Sequence, residues 1–353
     1  MSEPLNLVIQ TAFLGDVILS VPTLVKIKQL YPETKLGLVC RKGVGRFLLN
    51  DGLIDELFEV EKSNSKSYKQ VLQHLSERKI RHLFCLHRSP RSQFFAARIK
   101  AERKIGFASV LGFWIFDDQV DFLQDAPEAI RQYKILESSD AEIFSKINSE
   151  DFSYLNLADT QGRFSTVPEF AAFPRKNKSK SFSLRRVAVF PGSVWETKRW
   201  RAEGFSALIE IFLKKNIQVA LLGSPAEREL CYQIAALHMG RVSVLAGTMT
   251  LEETIRDLQH YDLVVANDSG PSHMAAYADV PVLSLFGPTT SSMGFRPWSD
   301  RSVVVENNRL SCRPCGAHGH RRCPLVHHNC MNQIAAEQVM AAAELLFSGL
   351  RKD

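Results

Sequence analysis

The sequence lacks the features of membrane-spanning and secreted chains. None of its apolar runs approaches the length needed to cross a bilayer. The first ten residues, MSEPLNLVIQ, contain no basic region followed by a long apolar core, so we expect no signal peptide. Seven cysteines without a secretion signal favour a reducing compartment, where disulfides are rare.

Extremes of charge are also missing. The formal net charge is +6 over 353 residues, and charged residues make up 23% of them. This balance is mild for a nucleic-acid-binding protein, and it fits an acidic small molecule or an anionic lipid surface as well. With 45% hydrophobic residues the chain can bury large cores, and its length suffices for two domains. We therefore expect an ordered protein with no nucleic-acid partner.

No complete Gly-x-Gly-x-x-Gly motif is present. The nearest stretch contains Gly43 and Gly45, but Leu48 stands where the third glycine belongs. This stretch also follows the second predicted strand and not the first, so we interpret it as a turn. A nicotinamide-dependent oxidoreductase is accordingly the least favoured class of enzyme.

Short apolar runs alternate with helical patterns along the chain, which predicts an α/β fold with parallel sheets and helices on both faces. The predicted strands are residues 5–9, 35–40, 57–60 and 83–86 in the first half, and 187–190, 217–222, 242–245, 262–266 and 280–286 in the second. Residues 117–159 have a helical pattern throughout.

This alternation predicts two Rossmann-like domains joined by a linker. Residues 174–186, PRKNKSKSFSLRR, are polar and basic without an apolar period, which is typical of a linker. The domains are then residues 1–173 and 187–333, and we expect ligands to bind in the cleft between them. A final helix within residues 334–353 has no obvious place in the second sheet, and we expect it to pack back on the first domain.

The stretch 261–288, YDLVVANDSGPSHMAAYADVPVLSLFGP, has the pattern of a strand, a polar turn, a short helix and a second strand. The turn lies at the carboxyl end of a strand, where open α/β sheets bind ligands. Ser269 can cap the helix, Gly270 lets a ligand approach the backbone, and Pro271 suits a first helical position. The N–H groups that follow would face an anion such as phosphate. An ordinary turn with Asp268 as the helix cap is the alternative.

Two further loops follow strands of the second domain. Residues 191–200, PGSVWETKRW, combine small and hydroxylic residues with a Lys-Arg pair, which suits a diphosphate. A basic surface loop is the alternative, although two exposed tryptophans would cost solubility. In the next loop Glu227 could hydrogen-bond a ribose, or it is an ordinary acid in a first helical turn.

Residues 78–104 carry nine basic residues and one acid, Glu102. Arg88 and Arg91 directly follow a strand, so for these two we favour a site for a phosphorylated or carboxylated ligand. A solvated helix face is the alternative, and we favour it for residues 98–104.

Asp16 lies at the first strand–helix junction, beside Gly15. It is either a helix cap or a general base that removes a proton from an attacking hydroxyl group. Its loop would face the interdomain cleft from the first domain.

Four cysteines near the end, Cys312, Cys315, Cys323 and Cys330, have the spacing C-x2-C-x7-C-x6-C. In a reducing compartment such a cluster suggests structural zinc. The second half is not C-x2-C, however, so a reduced loop or an oxidation-prone cluster is the alternative.

Four motifs together resemble a known family. They are FLGDVILSVPTLVKIKQLYP, PGSVWETKRW, NDSGPSHMAAYADVPVLSLFGPT and the cysteine-rich tail, which follow one another between about residues 5 and 334. The chain resembles the ADP-heptose:lipopolysaccharide heptosyltransferases of glycosyltransferase family 9, which have the GT-B fold. The form PGSVW-x-TKRW is more similar to heptosyltransferase II than to heptosyltransferase I.

The resemblance implies an inverting transfer of heptose from ADP-L-glycero-β-D-manno-heptose to the lipopolysaccharide inner core, with heptosyl-Kdo2-lipid A as acceptor. It implies a peripheral protein at the cytoplasmic face of the inner membrane, and neither a cofactor nor a metal is expected. A relative that uses another acceptor, or a nucleotide-sugar binding protein without activity, are the alternatives.

The resemblance also implies roles for individual residues. Asp16 matches the base, and Arg88 and Arg91 would hold anionic groups of the acceptor. The residues that match the donor site are Ser193, Thr197, Lys198, Glu227, Met249, Asp268, Ser269, Gly270, Pro271 and His273, with Met249 beside the adenine. Pro271 replaces the leucine or similar residue often found there, so its nitrogen cannot donate a hydrogen bond. Lys198 and the helix after Gly270 would stabilise the departing ADP.

Overall fold

The described part of the chain forms two α/β units. The computed structural model describes residues 3–149, 167–174 and 183–350. The first unit contains residues 3–149 and 169–171, and the second unit contains the other described residues. Most of the predicted linker, residues 175–182, lies outside the described residues.

The first unit is built on a six-stranded parallel sheet with the strand order β3-β2-β1-β4-β5-β6. Its strands are β1 Leu5–Gln10, β2 Lys35–Arg41, β3 Glu56–Val60, β4 Ile80–Cys85, β5 Arg103–Phe107 and β6 Asp118–Val120. Every residue of the central strand β1 is buried. Central parallel strands are buried on both sides because helices cover both faces of the sheet.

Two strands of this sheet contradict the sequence prediction. The sequence predicts a solvated helix face for residues 98–104, but Arg103 begins β5. It also predicts helix throughout residues 117–159, but β6 lies in that region. Both predictions are wrong because the two strands are short and begin with charged residues, so their buried residues Ile105, Phe107 and Val120 do not form an apolar run. An ion pair between Arg103 and Asp118 also joins the strands.

The second unit contains another six-stranded parallel sheet, with the order β12-β11-β10-β7-β8-β9. Its strands are β7 Arg186–Phe190, β8 Gln218–Leu221, β9 Val242–Val244, β10 Leu263–Asn267, β11 Val282–Phe286 and β12 Ser302–Glu306. The five strands that the apolar runs predict are present, each within two residues of its predicted bounds. Strand β12 was not predicted.

Helices flank both sheets. In the first unit they are α1 Leu14–Leu19, α2 Val21–Leu30, α3 Arg46–Asn50, α4 Ser65–Ser76, α5 Pro90–Ala97, α6 Glu128–Tyr133 and α7 Ala141–Ser149. In the second they are α8 Ala202–Lys214, α9 Arg228–Ala236, α10 Leu251–Asp257, α11 Gly270–Tyr277, α12 Asn329–Asn332 and α13 Ala336–Leu350. Within the described ranges, no helix combines the length and the apolar character that a membrane span requires.

The last helix, α13, packs within the second unit. Val339, Ala343 and Leu346 belong to the hydrophobic core of that unit, and α13 contacts α8 and β12. The three residues recur at helical spacing, so they form one apolar face. The sequence leaves no obvious place for this helix in the second domain, whereas the structure covers its apolar face with α8 and the edge of the sheet.

Both sheets reverse their strand order beside their first strand. The reversal lies between β1 and β4 in the first unit and between β7 and β10 in the second. Such a switch point opens a crevice at the carboxyl ends of the strands, where ligands of open α/β sheets bind. Residues that bind or react with a ligand are therefore expected in the loops after these four strands.

Candidate functional site

The carboxylate of Asp268 joins three loops at the second switch point. Its Oδ2 accepts hydrogen bonds from Lys198 Nζ at 2.5 Å and from Thr289 Oγ1 at 2.6 Å. Lys198, Asp268 and Thr289 follow the neighbouring strands β7, β10 and β11. The side chains of the ion pair are only 12% and 5% exposed, so water screens their attraction weakly. Asp268 is thus a cross-link between loops, and the alternative that it serves as the helix cap is not what the structure shows.

Thr289 was not among the predicted site residues. One feature of the sequence could have identified Thr289: its hydroxyl group follows β11, the strand next to β10. Parallel strands end at the same edge of a sheet, so residues after β10 and β11 lie close together.

The turn before α11 differs in detail from its prediction. Ser269 occupies the cap position, but its hydroxyl donates to the carbonyl of Asn267 at 3.2 Å and makes no cap hydrogen bond. Helix α11 begins at Gly270, so Pro271 is the second helical residue and not the first. The prediction that Ser269 caps the helix is therefore wrong, because its side chain points back toward the strand.

His273 lies in the first turns of α11 and is buried. Burial, together with the positive charge of Lys198, lowers its pKa to about 4, while the negative charge of Asp268 opposes this shift. The imidazole is therefore neutral at pH 7. Its Nδ1 has no hydrogen-bond partner among the residues that the structure describes. A buried nitrogen without a partner is costly, and such atoms concentrate at functional sites.

The side chain of Asn267 fixes the loop 191–200 against the end of β10. Its Nδ2 donates to the carbonyls of Pro191 at 2.9 Å and Gly192 at 3.0 Å, and its Oδ1 accepts from the backbone nitrogen of Trp200 at 2.9 Å. Trp200 is buried, and its indole nitrogen donates to the carbonyl of Ile334 at 3.1 Å. This tryptophan thus anchors the loop, as expected for a packed loop.

Ser193 and Thr197, the predicted phosphate-loop hydroxyls, are both buried. The carbonyl of Ser193 accepts a hydrogen bond from Arg199 Nε at 2.7 Å. Thr197 Oγ1 donates to the carbonyl of His320. Because a hydroxyl has one proton, Thr197 can offer only an acceptor to a ligand in this conformation.

Glu227 lies directly over two glycines. A Cβ atom on Gly192 would lie 1.8 Å from Glu227 Oε1, and one on Gly223 would lie 3.0 Å from Oε2. Oε2 also accepts hydrogen bonds from the nitrogen and hydroxyl of Ser224, at 2.7 and 2.9 Å. One carboxylate oxygen therefore caps the helical turn while the other lies over Gly192. Only glycine fits beneath it.

Met249 is half-buried in the loop after β9. The same loop is tied to the end of β8 by a hydrogen bond from the nitrogen of Gly247 to the carbonyl of Gly223, at 2.8 Å. The second sheet thus presents a row of predicted donor residues along the carboxyl ends of adjacent strands.

The cysteine-rich segment, residues 312–330, packs against the loop 191–200. His328 Nε2 lies 2.7 Å from the carbonyl oxygen of Thr197, and the rings of His318 and Trp195 stack with centroids 5.9 Å apart. The nitrogen of Cys315 donates to the carbonyl of Pro288 at 2.7 Å. Sequence reasoning missed this role, because histidines in a cysteine-rich segment direct attention to metal binding.

The four cysteines of this segment carry free thiols. Burial raises the pKa of Cys330 to about 11, so its thiol is protonated at neutral pH. Among the described residues, no three or more His, Cys, Asp or Glu side chains are arranged to hold a metal ion. The zinc interpretation stays a hypothesis without a formed site.

Hydroxyl groups surround an imidazole at the first switch point. Thr11 Oγ1 lies 2.8 Å from Ser92 Oγ and 3.0 Å from His87 Nδ1, and Ser92 Oγ also lies 3.0 Å from that nitrogen. Burial and, to a smaller extent, the positive charge of Lys62 lower the pKa of His87 to about 4. The network is thus uncharged at neutral pH, and it ties the loop after β1 to the loop after β4.

Asp16 lies in the first turn of α1 and is half-buried. Its Oδ2 accepts a hydrogen bond from the nitrogen of Phe13 at 3.1 Å, so it does serve as a local cap. Arg41 and Lys62 approach the ring of Phe13, at 5.1 and 5.5 Å from its centroid. Sequence reasoning did not predict these two cations, which come from the ends of β2 and β3.

Glu128 in α6 is a buried carboxyl group near Asp16 that was also missed. Burial and the negative charge of Asp16 raise its pKa to about 7, against the opposing charge of Arg131. Gln132 Nε2 connects the two acids, since it lies 3.0 Å from Glu128 Oε1 and 3.3 Å from the carbonyl oxygen of Asp16.

The two predicted acceptor arginines behave differently. The guanidinium carbon of Arg88 lies 3.9 Å from the ring centroid of Phe122, where a cation–π contact orients it. Arg91 is exposed, and its charge contributes with Arg41 to the lowered pKa of Lys62. Arg91 is therefore near Lys62 and Arg41, whereas the guanidinium of Arg88 faces Phe122.

Comparison with known proteins decides the family. The model of glycosyltransferase family 9, described as heptosyltransferase, matches residues 89–325, which is more than half of the chain. The chain belongs to glycosyltransferase family 9. Lipooligosaccharide heptosyltransferase 2 of Campylobacter jejuni is 32% identical to this family 9 chain over 174 residues, which are 48% of this chain and 52% of that relative. The chain thus spans about half the length of this curated relative. Lipopolysaccharide core heptosyltransferase OpsX of Haemophilus influenzae is 25% identical over 284 residues, which are 79% of this chain and 78% of the relative.

The fold of this family 9 chain is similar to that of a solved relative. The structure of Escherichia coli ADP-heptose lipopolysaccharide heptosyltransferase II superposes with a TM-score of 0.75 and 18% sequence identity, over 99% of this chain and 100% of that chain. The predicted GT-B fold class, with two Rossmann-like domains, is confirmed.

The predicted site residues of the family 9 chain fall into two groups. Those of the second unit lie in loops at the carboxyl edge of its sheet or in the first turns of α11. They are Ser193, Thr197, Lys198, Glu227, Met249, Asp268, Ser269, Gly270, Pro271 and His273. Asp16, Arg88 and Arg91 lie at the carboxyl edge of the first sheet. The roles of both groups stay predictions.

Proposed function

We propose that this family 9 chain transfers heptose from ADP-L-glycero-β-D-manno-heptose to the lipopolysaccharide inner core, with heptosyl-Kdo2-lipid A as acceptor. The observation that carries the proposal is the cross-link at Asp268, because it holds a lysine beside the start of a helix at a switch point. The relatives named lipooligosaccharide heptosyltransferase 2 and ADP-heptose lipopolysaccharide heptosyltransferase II support the choice of donor and acceptor.

The diphosphate of the donor would bind at the second switch point. Lys198 supplies a positive charge, and the helix dipole at Gly270 favours an anion in the same place. The buried hydroxyl of Ser193 adds a donor. Glu227 Oε1 is then available to a ribose hydroxyl, and Met249 offers an apolar contact to the adenine.

Donor binding would rearrange the ion pair between Lys198 and Asp268. A diphosphate brings more negative charge than one carboxylate, so Lys198 can turn to it or share its protons between the two. Asp268 keeps the hydrogen bond from Thr289, at 2.6 Å, and is not left without a partner. The ion pair would thus hold the lysine ready before the donor arrives.

The transfer itself would be a direct displacement. Asp16 accepts the proton of the acceptor hydroxyl as its oxygen attacks the anomeric carbon. The bond from that carbon to the phosphate oxygen breaks, and ADP leaves with the electron pair. Configuration inverts because attack and departure occur on opposite faces. Lys198 and the helix start at Gly270 stabilise the charge that develops on ADP.

The acceptor is anionic, since Kdo carries a carboxylate and the inner core carries phosphate groups. Arg41, Lys62 and Arg91 near Asp16 would bind these groups and direct one hydroxyl toward the base. The enzyme would work at the cytoplasmic face of the inner membrane, where its acceptor is anchored.

Mass spectrometry of products tests the proposal. The protein is incubated with ADP-heptose and one acceptor at a time. The acceptors are Kdo2-lipid A, heptosyl-Kdo2-lipid A and a core that is extended further. We expect the mass of one heptose to be added to heptosyl-Kdo2-lipid A, and ADP to be released in equal amount. Product that forms only with Kdo2-lipid A as acceptor would indicate a heptosyltransferase I-like enzyme. Donor binding without transfer to any acceptor would indicate a nucleotide-sugar binding protein.

A further inference from the structure

A short turn between β5 and β6 exposes three large apolar side chains. Val110, Phe113 and Trp114 are 87%, 67% and 83% exposed. Isolated apolar residues on a surface are ordinary, but three within five positions form a patch that water solvates poorly. Such a patch on a folded protein marks a contact with another molecule.

The turn is held rigidly, so this exposure belongs to the fold. Ser109 Oγ accepts a hydrogen bond from the nitrogen of Gly112 at 2.8 Å, and the carbonyl of Ser109 accepts from the nitrogen of Phe113 at 3.1 Å. Phe116 then anchors the turn in the core, where a Cβ atom on Gly106 would lie 2.3 Å from its ring. With both ends fixed, the side chains between them cannot fold back into the core.

Helix α5 extends the patch. Ser109 Oγ donates to Gln93 Oε1 at 3.2 Å, which ties the turn to this helix. The neighbouring Phe94 is 52% exposed. We call Phe94, Val110, Phe113 and Trp114 the aromatic rim.

Positive charge flanks the aromatic rim. Arg98 follows the last residue of α5 and lies four residues after Phe94, so it shares the face of the helix that carries Phe94. Arg98 and Lys100 are both exposed.

Three acids of the same region have basic or backbone partners of their own, whereas Asp121 after β6 is exposed. Glu102 pairs with Lys79 at 3.2 Å, and Asp118 pairs with Arg103. Asp117 accepts a backbone hydrogen bond from β5 at 2.7 Å. The charge that the rim presents to a partner is therefore positive, which favours an anionic surface.

We propose that the aromatic rim docks this enzyme on an anionic phospholipid bilayer. Tryptophan and phenylalanine side chains enter the interface between headgroups and acyl chains, and arginine and lysine beside them bind anionic headgroups. A convex turn with exposed tips suits the soft interface of a bilayer better than the matched groove that a protein partner would need. The inference extends the proposed function, since it supplies the contact that brings the enzyme to a membrane-anchored acceptor.

Flotation with lipid vesicles tests the proposal without depending on catalysis. The full-length protein is mixed with vesicles of phosphatidylcholine alone and with vesicles that contain phosphatidylglycerol. We expect binding to the anionic vesicles and about tenfold weaker binding of the double variant Phe113→Ser/Trp114→Ser. The matched control is Leu237→Ser/Met239→Ser, which removes two residues that are 65% and 93% exposed in the second unit. This control should bind as the unaltered protein does.

A charge variant keeps the test valid if the first variant does not fold. Arg98→Glu/Lys100→Glu should weaken binding to anionic vesicles by about tenfold, and added salt should weaken the unaltered protein in the same way. The proposal is overturned if the protein ignores anionic vesicles, or if both variants float as well as the unaltered chain. It is also overturned if the rim mediates only self-association, seen as a dimer that Phe113→Ser/Trp114→Ser dissociates without any vesicle binding. Transfer to a de-acylated, water-soluble acceptor reports separately on the proposed function, and the rim variants should leave it unchanged.

Discussion

The same sheet topology occurs in both units, but the two switch points carry different chemistry. In the second unit a buried ion pair between Lys198 and Asp268 joins the loops. In the first unit the corresponding loops are joined by the uncharged network of Thr11, His87 and Ser92. The fold sets where loops meet, and the residues that follow the strands decide what can be done there.

The two aspartates show what this difference means for chemistry. Asp268 is buried and accepts hydrogen bonds from lysine and threonine side chains, so it is suited to hold a cation in place. Asp16 is half-buried and accepts from a backbone nitrogen, so solvent can reach its carboxylate. This difference fits the proposed roles, in which Asp268 holds Lys198 for the donor diphosphate and Asp16 accepts a proton.

The largest effect should come from the proposed base. Asp16→Asn keeps an oxygen for the hydrogen bond from Phe13 but removes the group that accepts the proton. We expect kcat to fall by about 10²–10⁴-fold, the usual worth of a general base. Steady-state transfer assays measure this fall. Transfer at the original rate would remove Asp16 from the reaction and with it the contrast between the two aspartates.

The next largest effect concerns the buried ion pair. Lys198→Met leaves the Asp268 carboxylate buried without its cation, which should cost about 3–5 kcal/mol of unfolding free energy. The double variant Lys198→Met/Asp268→Asn removes both charges, and most of that loss should be recovered. Urea denaturation of the two variants and of the unaltered protein makes the comparison. Equal unfolding free energies of the single and the double variant would contradict this prediction. They would show that the Asp268 carboxylate costs nothing when its cation is removed.

A pH effect should belong to the first unit. The pKa of Glu128 is about 7 in the folded protein, against an ordinary value of 4.5, so the folded state binds the proton more tightly. The carboxyl group of Glu128 therefore makes its full contribution to the unfolding free energy below pH 4.5. This contribution is lost as pH rises through 7. The loss should be on the order of 3 kcal/mol.

Glu128→Gln should remove this dependence. Between pH 5 and pH 8 the unaltered protein should lose stability relative to the variant, measured as the difference between their unfolding free energies in urea at both pH values. His87 and His273 serve as an internal check, since their pKa values of about 4 make stability fall at acid pH in both proteins. An unchanged pH dependence in Glu128→Gln would place this titration elsewhere.

The smallest effect should come from Thr289. Thr289→Val removes one hydrogen bond to Asp268 and leaves the ion pair with Lys198. We expect a loss of about 1–2 kcal/mol of unfolding free energy, less than that of Lys198→Met. Thr290→Val is the matched control, since the hydroxyl of Thr290 contacts Ser292 and not Asp268. A larger loss of unfolding free energy in Thr289→Val than in Lys198→Met would show that the hydrogen bond from Thr289 stabilises Asp268 more than the ion pair does.

Much of the second unit could be predicted from sequence because its signals are local. The strands on either side of α11 are short apolar runs, and the loops after them hold the polar residues that open α/β sheets present to ligands. Strands β5 and β6 escaped prediction because they are short and begin with the charged residues Arg103 and Asp118, so their buried residues do not form an apolar run.

The missed parts of the site depend on contacts between distant parts of the chain. Thr197 meets His320, 123 positions later, and Gln132 meets Asp16 across 116 positions. No periodicity or spacing encodes such pairs. Glu128 is an ordinary acid at a helix start in the sequence, and only its burial beside Asp16 gives it an unusual pKa.

The most direct test of the account is the affinity for ADP, measured by titration calorimetry on two folded variants. The account predicts that Lys198→Met/Asp268→Asn binds ADP about ten- to a hundredfold more weakly, because a charge-assisted contact to the diphosphate is lost. It predicts that Asp16→Asn binds ADP as the unaltered protein does while transfer fails. The opposite pattern, with affinity lost in Asp16→Asn and kept in Lys198→Met/Asp268→Asn, would contradict the division of labour between the two switch points.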